Sequence, residues 1–84
     1  MNNNDINTLV TKWQVQMLSI SAGQFSYEEA KEILNNIIDE IVENREPIVN
    51  GELSIANNIL LFTNIVLFGG KYGANIGKLS FLGI

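Results

Sequence analysis

The sequence predicts a small, mainly α-helical domain of about three helices, closed by a glycine-rich C-terminal segment. Three observations carry that prediction. Two stretches place apolar residues at helical spacing, one of them opens on a capping box, and a third stretch is uncharged for 18 residues. With 84 residues the chain makes one domain. A chain of this size buries only about 60–65% of its unfolded surface, so its core is thin.

The first helix is expected over about residues 5–22. Ile6, Leu9, Val10, Trp13, Met17 and Ile20 recur at i, i+3, i+4 spacing, with Asn7, Lys12, Gln14, Gln16 and Ser19 falling largely elsewhere. Asn4 or Asp5 is positioned to cap its start, and Gly23 to take the left-handed conformation that ends it. Val15 and Leu18 widen the apolar face, which predicts cover on more than one side.

The second helix, about 26–45, is the clearest feature. Ser26-Tyr27-Glu28-Glu29 is a capping box, in which the Ser26 hydroxyl and the Glu29 carboxylate satisfy free backbone donors. Ala30, Ile33, Leu34, Ile37, Ile38, Ile41 and Val42 then hold the helical period through three repeats. Arg45 sits in the last turn, and Pro47 is expected to stop the helix near 44–46.

After the turn signal Asn50-Gly51 comes an apolar element over about 53–68. Asn58-Ile59-Leu60-Leu61-Phe62 is echoed by Asn64-Ile65-Val66-Leu67-Phe68. As a helix it sets Ile55, Ile59, Phe62 and Val66 on one ridge, and Ala56, Leu60, Thr63 and Leu67 on the next. As a strand pair it would need a turn at Thr63-Asn64, which lacks the glycine a two-residue hairpin prefers. Length favours the helix. The closing segment, 69–84, contains Gly69, Gly70, Gly73, Gly77 and Gly83. Glycine at each interior position costs a helix about 1 kcal/mol relative to alanine. Lys78-Leu79-Ser80-Phe81 alternates as a short C-terminal strand would, and a short helix carrying Tyr72, Ile76 and Leu79 is equally compatible.

Composition excludes several functions. With no cysteine and no histidine there is no disulfide, no thiol nucleophile, no Cys/His zinc site and no imidazole base. No catalytic, cofactor-binding or metal-binding residue is assigned, and the chain is expected not to be an enzyme. Seven of the nine acidic residues fall between Ser26 and Glu46, whereas only Lys71 and Lys78 are charged beyond Glu52. Five scattered basic residues on a chain of net charge −4 argue against a nucleic-acid partner. Glu28 with Glu32, and Asp39 with Glu43, share helix faces, but they lie opposite the Ile/Leu stripe and are expected to be a solvated face. The run from Val66 to Ser80 superficially resembles a strand entering a phosphate loop. It fails on spacing, since three residues separate Gly73 from Gly77 and Leu79 occupies the hydroxyl position.

What remains is apolar surface beyond what one thin core hides easily. That points to a protein-interaction module, such as a small bacterial or phage-type regulator, inhibitor or assembly subunit, that buries helical surface against a copy of itself or another protein. The expected contacts are Trp13, Met17, Ile59, Phe62, Val66 and Phe68, together with the Gly69, Gly73, Gly77 series as a close-packing groove, although that series reads more simply as a flexible loop whose glycines satisfy turns. Trp13, on the apolar face of the first helix, is most simply core, and an interface anchor only if exposed. The acidic face of the second helix would steer a basic partner. The N-terminus lacks the charged and apolar regions of a signal peptide, so a cytoplasmic location is expected. The alternative is a membrane-associated protein of the immunity type, because the uncharged run from Leu53 to Gly70 has about the minimum length that spans a bilayer. Asn57, Asn58 and Asn64 count against it unless they face a partner helix.

Overall fold

A computed structural model describes residues 3–50 and 55–83, with side-chain surroundings over 6–50 and 60–83. Among the described residues it contains four α-helices and a closing 3₁₀ helix: α1 (Asn3–Ser21), α2 (Tyr27–Glu43), α3 (Arg45–Val49), α4 (Ile55–Tyr72) and the 3₁₀ turn Ile76–Leu82. The mainly α class is therefore established. No strand occurs among the described residues, and the C-terminal alternation at Lys78–Phe81 lies in the 3₁₀ helix.

α2 is the central element. Its capping box forms as its residues dictate: the Glu29 amide donates to Ser26 Oγ at 3.2 Å, and the Ser26 amide donates to Glu29 Oε1 at 3.1 Å. That backbone donor, followed by the Ser26 hydroxyl, holds the Glu29 carboxyl below the usual glutamate range. Ala30, Leu34, Ile37, Ile38 and Ile41 are buried, with Ile33 and Val42 packed at the margin. α1, α4 and the closing 3₁₀ helix all pack on this helix.

α1 contributes Ile6, Val10, Trp13, Met17 and Ile20 to the core, spaced 4, 3, 4 and 3 residues apart. The helix already runs through Asn4 and Asp5, so neither is its N-cap. At its far end the Gln24 amide donates to Ser19 O at 3.2 Å and the Gly23 amide to Ile20 O at 3.0 Å. This is a Schellman motif with Gly23 at φ 75°. α4 ends the same way, with the Ala74 amide on Gly69 O at 2.7 Å, the Gly73 amide on Gly70 O at 3.2 Å, and Gly73 at φ 77°.

Two boundaries differ from expectation, and a third is not wholly described. α2 does break at Asn44, but the chain resumes as α3 straight through Pro47. Pro47 falls in the first turn of α3, where backbone amides have no intrahelical partner, so its missing N–H costs little. Asn44 manages the break, its side-chain amide donating to Glu40 O at 2.7 Å. Next, Gly69 and Gly70 lie inside α4, which runs four residues beyond the expected end. Helix packing outweighs their propensity cost at this last turn. Finally, the turn signal at Asn50-Gly51 falls partly outside the described residues.

The 3₁₀ helix folds back across α2 and α4. Leu79 is buried, the Asn75 amide donates to Asn35 Oδ1 at 2.9 Å, and Lys78 Nζ meets Asp39 Oδ1 at 2.8 Å. The whole has a radius of gyration of 12.2 Å and an accessible surface of 4924 Å². Both are close to the values of about 12 Å and about 5,000 Å² expected of a globular chain of this mass. Among the described residues no helix is long and apolar enough to cross a membrane.

Candidate interaction face

α4 is apolar around most of its circumference, so its orientation is decided by packing. Leu61, Phe62 and Ile65 face the core and are buried. Leu60 and Leu67 point the other way and are 73% and 65% exposed. On α1, Leu18 and Val15 are likewise exposed, at 69% and 55%. These four are large aliphatic side chains on two helices, and the fold leaves them in water.

Between α1 and α4 lies a groove of about 470 Å³. Gln14, Met17, Leu18 and Ser21 form one wall, and Leu60, Leu61, Asn64 and Phe68 the other. Among the described residues no ionisable side chain lines it. Its floor is apolar and its polar groups are neutral amides and a hydroxyl, which can orient a partner without the cost of desolvating a charge.

A second concavity, about 330 Å³, is lined by Glu28, Glu29, Lys31, Glu32, Asn35 and Asn36. All six belong to α2, so it is a shallow depression on one helix face. Among the described residues no cluster of three or more acidic side chains is arranged to hold a metal ion.

The residues singled out from sequence separate into distinct roles. Met17 and Phe68 line the groove. Trp13 and Phe62 are fully buried within the core cluster and present no contact surface. The Trp13 indole N–H donates to Glu40 Oε2 at 3.1 Å, and Lys12 Nζ approaches Glu40 Oε1 at 2.8 Å. Glu40 is thus a tie between α1 and α2. Val66 packs against the core, and the Ile59 side chain lies outside the described set.

The glycine series does not form a shared groove. A Cβ at Gly69 would meet Ile76 Cγ2 at 2.5 Å, so this glycine admits the returning 3₁₀ helix. Gly73 caps α4, and Gly77 is exposed, with nothing nearer to its missing Cβ than Asn75 Oδ1 at 3.6 Å. Leu18, Leu60 and Leu61 were not singled out as contacts. Their signal was present for Leu18 as an excess over the first helix's stripe, but an all-round apolar helix gives none for Leu60. Comparison with protein-family models, curated proteins and solved structures returns no match for this chain.

Proposed function

We propose that this chain is a non-catalytic protein-interaction module whose contact face is the sparsely charged surface formed by α1 and α4. The observation that supports it is the exposure of Leu18 and Leu60, which line an apolar groove, together with exposed Leu67 on the same helix as Leu60. Exposed leucines are common singly, but two on different helices that line one apolar groove mark a contact site. The acidic residues of α2 lie on a separate face and serve solubility and long-range steering.

Site-specific photo-crosslinking in the cells that naturally make the protein tests the reading. A photoreactive residue at Leu18 or Leu60 should give a covalent adduct with a protein, and one at Glu32 should not. Absence of any protein adduct from Leu18 and Leu60 would overturn it.

A further inference from the structure

Leu60, Asn64, Leu67 and Lys71, all exposed on α4, are spaced 4, 3 and 4 residues apart. That is the d-a-d-a register of a helix pairing along a 3.5-residue seam. Leu53 and Asn57 continue the spacing in the sequence. The core-facing residues Leu61, Phe62 and Ile65 belong to a different seam, so α4 carries two and the fold covers one. α1 repeats the arrangement. Beside its buried stripe, Thr11, Val15 and Leu18, followed by Ala22 just past the helix end, are exposed at the same 4-3-4 spacing.

We infer that these two stripes are the contact face of an antiparallel, two-fold dimer of this chain. The inference rests on the reading of the α1/α4 surface as a contact face and names its occupant. Charge leaves this face, and not α2, open to a second copy. The chain carries −4, and the acidic residues of α2 would repel a copy approaching that face. Of the eight stripe residues only Lys71 is charged, so two such faces meet without ionic conflict. Lys71 also sets the orientation. A parallel pair places the two ammonium groups opposite each other. An antiparallel pair centred between Asn64 and Leu67 sets them about 16 Å apart along the axis, beyond the screening length of about 8 Å. Asn64 then lies opposite the Leu67 position of the other copy, a polar residue in the seam that fixes register at some cost in affinity.

Area sets the strength. α1 and α4 are each about 27 Å long and about 10 Å across, a face of roughly 500 Å² per copy. About 1,000 Å² in total is the lower edge for a specific interface, so the dimer is weak and concentration-dependent, with Kd in the range of roughly 10–500 µM.

Sedimentation velocity on the purified full chain from about 10 µM to about 1 mM tests this. The mass should rise from 9.3 kDa toward twice that value. Leu60→Glu with Leu67→Glu should raise Kd roughly a hundredfold or more. Both positions are exposed, so circular dichroism should show the helical content unchanged. Because the chain has no cysteine, Asn64→Cys with Leu67→Cys introduces the only thiols, and mild oxidation should give a disulfide-linked dimer. A chain monomeric at the highest concentration, or a dimer indifferent to the two glutamates, overturns the inference. A monomer that still forms adducts with a different protein through Leu60 overturns the second copy and leaves the interaction reading standing.

Discussion

Trp13 shows how one polar atom decides where a large apolar residue settles. Its ring is fully buried, and its indole N–H reaches the carboxylate of Glu40. Glu40 also meets Lys12, from the turn that carries Trp13 itself. Spacing along α2 gives no hint of this, because Glu40 falls among acids that alternate with the apolar stripe. The need was nevertheless legible: a buried Trp requires an acceptor. Replacing Glu40 by Gln keeps an acceptor for the indole and removes an ion pair whose lysine is half exposed, so the loss should stay below about 1 kcal/mol. Replacing it by Leu leaves the indole N–H unpaired in the core, at a cost of about 1–3 kcal/mol. Urea unfolding of the two variants checks the difference. Equal losses would show that the hydrogen bond contributes nothing beyond the ion pair.

At the scale of elements, legibility follows asymmetry. α2 was readable because Ser26 and Glu29 fix its start and its apolar residues occupy one side only. α4 was readable as a helix, but its orientation was not, because Leu60 and Leu61 or Leu67 and Phe68 are equally apolar in sequence. Only the competition for α2 and the closing 3₁₀ helix decides which of each pair is buried. The same competition gives the three glycines spaced by four their separate roles, and predicts three different responses to alanine. Gly69→Ala drives its Cβ against Ile76 Cγ2 at 2.5 Å, and overpacking of about 1–3 kcal/mol exceeds the roughly 1 kcal/mol gained in helix propensity. Gly73→Ala forces a side chain to φ 77°, at about 1–2 kcal/mol. Gly77→Ala meets nothing closer than 3.6 Å and should be neutral or stabilising by about 0.5 kcal/mol. Thermal melts of the three variants provide the check. A uniform response would mean that 69–77 acts as a flexible loop after all.

Across the whole molecule, the acids gather on α2 while the α1/α4 face stays nearly free of charge. In the proposed dimer this separates the electrostatic force from the contact. Two bodies of net charge −4 meet through neutral surfaces, with centres about one molecular thickness, 19 Å, apart. Their long-range repulsion at low ionic strength is of order 1 kcal/mol, and it nearly vanishes at about 0.3 M salt, where the screening length falls to roughly 6 Å. The dimer should therefore tighten several-fold as salt rises from about 20 mM to about 300 mM. An interface built on the acidic side chains of α2 against basic groups would weaken over the same range, because screening would remove its attraction. Sedimentation equilibrium at the two salt concentrations separates the cases by the sign of the change. Weakening with salt would place the contact on α2 and require the exposed leucines of α1 and α4 to have another role.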